Sequence, residues 1–184
     1  MYCTKLKEIL SNEDSNKYGI DIYAIKKLDL YLRNNVTIDE LDRLNPAKFS
    51  LETDLNFDIT LKLFYICKKV GLFEPIAYYK CGCGESFRIY SLSNQVNCPN
   101  GCSITPENDK ERIYVYFKLT CELEDCDFIN YSKYMSDIVD DDDLGKGFAS
   151  FPDFVKAIGD TEASSLIDYN NDFFEKRARN INAE

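Results

Sequence analysis

The sequence predicts an α+β chain, and three observations carry that prediction. Apolar residues recur at helical spacing up to about residue 70, and alternation of period two follows up to about residue 120. Two close cysteine pairs sit inside the alternating stretch, and a return to helical periodicity with a strongly acidic balance follows it. The organisation expected is a helical module over 1–80, a β module built around the cysteines over 81–126, and an acidic helical region over 127–184.

Taken in order, Leu6, Ile9 and Leu10 line one side of a short first helix, after which SNEDSNK reads as a polar loop. In GIDIYAIKKLDLYLRNN, Ile22, Ile25, Leu28 and Leu32 form a helical stripe that Asn34 and Asn35 stop. Thr37 and Glu40 fit a capping box opening a short helix over Ile38–Leu44, and Asn45-Pro46 ends it. After a loop, Asp58 caps ITLKLFYICKKV, with Ile59, Leu63, Ile66, Cys67 and Val70 on the apolar side and Gly71 at the left-handed position past its end. PIAYYK and FRIYSLS then read as strands. ERIYVYFKLT alternates Ile113, Val115, Phe117 and Leu119 against Tyr114, Tyr116 and Lys118, which completes a three-stranded sheet. Beyond it, FINYSKYMSDIV, SFPDFVKAIG and TEASSLIDYNNDFFEKRARN are expected helices. The last takes Thr161 as its cap and Leu166, Ile167, Tyr169, Phe173 and Phe174 as anchors.

Within the sheet stretch stand Lys80-Cys81-Gly82-Cys83-Gly84 and Cys98-Pro99-Asn100-Gly101-Cys102, with 14 residues between Cys83 and Cys98. Tight turns aim backbone amides at thiolates, and glycine supplies the positive φ such turns need. Four thiolates close a tetrahedral Zn²⁺ shell, so Cys81, Cys83, Cys98 and Cys102 are the expected ligands of a structural zinc ion. The spacers of one and three residues depart from the usual two. That leaves open a ligand from Cys121 or Cys126, and four cysteines also suit an iron–sulfur cluster. Cys3 and Cys67 are expected as small buried apolar side chains.

Composition excludes several chemistries. The chain has no histidine, which removes imidazole as base, acid or ligand. It has neither GxxxxGK[ST] nor GxGxxG, and no GxSxG. No lysine follows an Asp or Glu by two positions, so the (D/E)-x-K nuclease arrangement is missing. The run Asp140, Asp141, Asp142, Asp143 is not a calcium loop, because Leu144 and Lys146 stand where oxygen ligands belong. An enzyme is therefore not expected. Residues 1–80 hold 12 basic and 12 acidic side chains and the remainder 10 and 20, so the net charge of −10 lies wholly in the second part. Such a surface repels phosphates and suits basic proteins. No apolar run approaches the ~20 residues of a membrane span. The opening MYCTKLKEIL lacks an h-region. A cytoplasmic setting with free or metal-bound thiols is the expectation.

Three helices leading into a strand at residue 72 resemble a winged-helix module over about 20–80. The cysteine pairs resemble the two knuckles of a zinc ribbon. In module order, over about 20–120, the chain is similar to the alpha subunit of transcription factor E. It is also similar to small accessory subunits of bacterial antiphage operons, including the middle components of ABC-ATPase three-component systems. That resemblance implies a non-catalytic adaptor that joins an ABC/SMC-like ATPase and an effector. Its docking groups would be Asp140–Asp143, Phe173 and Phe174 on basic-surfaced partners. The alternative is a winged-helix DNA-binding regulator, with Lys62, Lys68 and Lys69 on phosphates. Three lysines are few against the ~6–10 phosphates typically neutralised.

Overall fold

The computed structural model describes residues 1–126, 129 and 147–168. The helix expected over 128–139 (Ile129 apart), the run Asp140–Asp143, and Tyr169, Phe173 and Phe174 lie outside the described residues. Helices and antiparallel strands share the chain, which divides into two compact units. One comprises Met1–Glu74 with Phe117–Phe148, the other Pro75–Tyr116 with Ala149–Glu184.

The first unit is mainly helical: α1 (Tyr2–Ser11), α2 (Glu13–Tyr18), α3 (Ile22–Asn34), a 3-10 turn (Asp39–Asp42), α4 (Pro46–Thr53) and α5 (Phe57–Lys69). The stripe on α3 holds at Ile25, Leu28 and Leu32, all buried, whereas Ile22 is 37% exposed at the helix start. The supposed loop SNEDSNK is largely α2. Asn12 accepts the Asp14 amide, two acids occupy the first turn, and Gly19 closes it at φ 71°. The Thr37–Glu40 contact forms as expected, with the Glu40 carboxylate accepting from the Thr37 amide and hydroxyl. It opens only a single 3-10 turn. Asn45-Pro46 then begins a helix instead of ending one: Asn45 accepts the Ala47 amide and Pro46 takes the first turn, where its missing N–H costs nothing. The cap of α5 is Asn56, which accepts from Asp58 and Ile59.

An aromatic chain fills this unit. Tyr31 meets Phe49 edge-on at 5.0 Å, and Phe49 meets Phe64 at 5.4 Å. Phe64 in turn packs on Phe73 and Phe117 at 5.1 and 5.2 Å. Burial of each such ring contributes roughly 1.5–3 kcal/mol, and the tilted geometry adds to it. Among the described residues of this unit Asp29 is buried, and it accepts from Tyr2 Oη at 2.7 Å and from Arg33 Nε at 2.8 Å. Burial, reinforced by Asp29, drives the Tyr2 hydroxyl far above its ordinary pKa, so it stays a donor.

Two expectations about thiols are corrected in this unit. Cys3 is not an isolated apolar thiol and Cys126 is neither a free thiol nor a metal ligand, because the two form a disulfide. Arg33 pairs with Asp125 at 3.1 Å and the amino terminus with Glu124 at 2.7 Å. These contacts hold residues 124–126 against α3 and the start of α1, and the Cys3 and Cys126 Cα atoms come to 5.5 Å, within bridging range. Cys67 is fully buried as expected, and burial pushes its thiol up.

The second unit carries most of a three-stranded antiparallel sheet ordered β2-β1-β5. Its strands are β1 (Phe73–Lys80), β2 (Ser86–Ile89) and β5 (Ile113–Leu119). A small hairpin, β3 (Val96–Asn97) and β4 (Ser103–Ile104), lies between β2 and β5 in sequence. β5 alternates buried and half-buried residues along its whole length, as expected. Cross-strand rings pair on the sheet, Tyr78 with Tyr116 and Tyr79 with Phe87. Helix α6 (Phe151–Ile158) buries Phe151, Phe154 and Ile158. Helix resumes over 160–168, so Thr161 lies inside it and is not its cap. No helix among the described residues is long and apolar enough to cross a membrane.

Candidate metal centre

Both cysteine pairs sit at hairpin tips of equal length. Lys80 pairs with Ser86 across β1 and β2, which leaves residues 81–85 as the first tip. Asn97 pairs with Ser103 across β3 and β4, which leaves 98–102 as the second. Two backbone bonds close each tip. Cys81 donates to Glu85 and Gly84 to Cys81 in the first; Cys98 donates to Cys102 and Gly101 to Cys98 in the second. Gly84 at φ 98° and Gly101 at φ 80° take the left-handed turns these closures demand.

The unequal spacers follow from that geometry. The first tip presents its first and third residues and the second its first and fifth, and the four Sγ atoms all lie within 4.8 Å of one another. Cys83 Sγ and Cys98 Sγ stand 3.8 Å apart. Tetrahedral sulfurs at ~2.3 Å from zinc are separated by about 3.8 Å. The donor set therefore fits a closed Cys₄ shell. Of the alternative ligands, Cys126 is committed to Cys3. Cys121 is a free, half-buried thiol outside this cluster.

The surroundings support negative sulfur. The Cys102 amide donates to Cys98 Sγ at 3.3 Å, and Asn100 Nδ2 to Cys83 Sγ at 3.6 Å. Arg112 Nη1 lies 3.8 Å from where a Cβ on Gly82 would stand, so a guanidinium borders the first tip. Arg112 is paired with Asp109, which also accepts from Tyr79 Oη at 3.2 Å. The backbone amide of Glu85, aided by Cys81 and Asn100, holds the Cys83 thiol down at about 7. Hydrogen bonds shared with Cys98, Cys81 and Cys83 push Cys102 up to about 12. Four thiolates at this spacing repel one another until a cation sits among them. Cys81 and Cys98 are buried while Cys83 is exposed, so the cluster lies at the surface with one side covered.

Asn100, Arg112, Asp109 and Tyr79 were not singled out from the sequence. Asn100 lies inside the second cysteine loop and was the one of these with a local signal. Arg112 reaches the site only through tertiary folding.

The three lysines on α5 are engaged within the protein. Lys62 pairs with Asp58 and stands over Tyr18, and Lys69 pairs with Asp14. Lys68 stands over Tyr65, and burial lowers its pKa. No protein-family model, curated protein or solved structure matches the chain.

Proposed function

We propose that this protein is a non-catalytic accessory subunit whose β module is stabilised by a structural zinc ion. The observation that carries the proposal is the convergence of four cysteine sulfurs from two hairpin tips. Such a shell is complete with its four thiolates and leaves no open position for water or substrate. With no histidine in the chain, no imidazole is available as a base beside it. Zinc held there acts by fixing two loops together, and its binding energy becomes folding energy.

The finer assignment rests on module order. Helices leading into a hairpin whose tip is the first cysteine loop, with the second cysteine loop at the tip of the small hairpin after it, support reading a winged helix that runs into a zinc ribbon. We read the chain as the joining component of a cytoplasmic bacterial antiphage assembly, set between an ABC/SMC-like ATPase and an effector. Its acidity favours basic protein partners. The alternative, a DNA-binding regulator, is weakened by the ion pairs that Lys62 and Lys69 already make.

The test is metal analysis of the purified full chain, coupled to capture of its partners from the host. One zinc per chain and recovery of an ATPase subunit are expected. Metal-free folded protein would overturn the zinc assignment. Salt-sensitive duplex binding with no protein partner would overturn the adaptor role.

A further inference from the structure

Cysteine stands in two opposed redox states in this chain. Cys3 and Cys126 form a disulfide, whereas Cys67, Cys121 and the four cysteines of the cluster are thiols. The cluster binds a metal only while its cysteines are reduced and deprotonated, so a compartment that preserves it keeps thiols reduced. Disulfides in such a compartment are ordinarily transient or redox-sensing, not permanent staples.

The bond ties an irregular stretch to two helices. Residues 121–126 form neither helix nor strand. The Glu124 carboxylate accepts from the amino terminus and from the backbone amides of Tyr2 and Cys3, which caps the start of α1. Arg33 of α3 pairs with Asp125 and also donates to the Glu124 carbonyl. The Asp125 side chain is fully exposed and that of Glu124 46% exposed, so water and salt screen these ion pairs and each contributes little. Buried Cys126 and Ile129 are the apolar contacts that remain to this part of the chain once the sulfurs separate. The disulfide is therefore its strongest tie. Cys3 is half-buried and Cys126 buried, so an attacking thiol reaches Cys3 first.

We propose that the Cys3–Cys126 bond is a redox latch, opened by a dithiol reductant, whose opening loosens residues 121–126 from α1 and α3. One thiolate of the dithiol attacks Cys3 Sγ, the Cys3–Cys126 bond breaks, and Cys126 leaves as a thiolate that takes up a proton. The second thiol of the reductant loses its proton, attacks the mixed disulfide and releases Cys3 in the same form. Two electrons pass to the protein, and the dithiol ends as its own disulfide. Glutathione disulfide closes the latch by the reverse exchange and leaves as two glutathione thiols. The inference rests on the zinc reading, which sets the reducing surroundings, and adds a signal to which the accessory subunit responds.

The test treats the zinc-loaded full chain, without denaturant, with thioredoxin, its reductase and NADPH, and afterwards with glutathione disulfide. Peptide mapping after thiol blocking should find Cys3 and Cys126 reduced in the folded chain, with zinc still bound, and bridged again at the end. Cleavage by a glutamyl endopeptidase after Glu122 and Glu124 should quicken roughly tenfold or more on reduction. Cys126→Ser should be cleaved at the fast rate with or without reductant, and if that variant misfolds the two wild-type rates decide. A bond that yields only in denaturant, cleavage unchanged on reduction, or a Cys121–Cys126 bond in its place overturns the latch. Zinc retained while the bond resists removes the latch and leaves the metal centre standing. A bond that opens and closes in folded, metal-free protein removes the metal centre and leaves the latch standing.

Discussion

Cys98 is buried, accepts the Cys102 amide and lies 3.8 Å from Cys83, so it touches every part of the proposed metal shell. Cys98→Ser is expected to abolish stoichiometric zinc binding, measured by inductively coupled plasma mass spectrometry, and to lower thermal stability along with it. Asn100→Ala removes the amide that donates to Cys83 Sγ, and Arg112→Ala removes the guanidinium that borders the first tip, each without touching a ligand. Each should reduce zinc affinity about 10-fold, in line with the 10–100-fold usual for groups behind the ligands, as read by competition with a chromophoric chelator. Affinity unchanged in both variants would show that the backbone amides alone hold the thiolates. All four candidate ligands were legible from Cys-x-Cys and Cys-x₃-Cys with their glycines, because turn chemistry is local. Arg112 was not, since nothing in its neighbourhood in sequence announces that it will stand over Gly82. The Cys3–Cys126 pair was hidden for the same reason: its partners are 123 residues apart and no spacing rule links them.

Helices with a strong apolar stripe were legible at the scale of elements, as α3 and α5 show, and so was the alternation of β5. Those that failed were short and polar. α2 buries only Ser15, so hydrophobic periodicity could not reveal it, although Asn12, two acids and Gly19 form a complete set of end signals. α4 is hidden because proline reads as a helix stop, whereas its position one residue after Asn45 makes it a start. Two substitutions probe elements. Gly101→Ala places a Cβ at φ 80° with nothing within 4 Å to clash, so only backbone strain acts. A loss of about 1–2 kcal/mol, in denaturant unfolding of the zinc-loaded chain, is expected. Phe64→Ala removes the ring that joins Phe49, Phe73 and Phe117 and should cost about 3–5 kcal/mol by the same measurement. A loss under about 1 kcal/mol there would mean that the neighbouring rings collapse into the space.

For the whole molecule, the disulfide closes a loop of 123 residues, which by chain entropy stabilises the folded state by up to about 5 kcal/mol. Cys3→Ser should lower the unfolding midpoint of the first unit accordingly, and non-reducing peptide mapping of protein from the host would show whether the bond forms there. The cross-link and the cysteine cluster fall in different units, one in each. They also answer to different reagents. A phosphine that does not bind metals opens the sulfur–sulfur bond and would spare the proposed ion; a chelator at neutral pH would strip that ion and spare the bond. Each half of the chain thus has its own chemical key, and a calorimetric trace should lose one melting component at a time according to which key is turned.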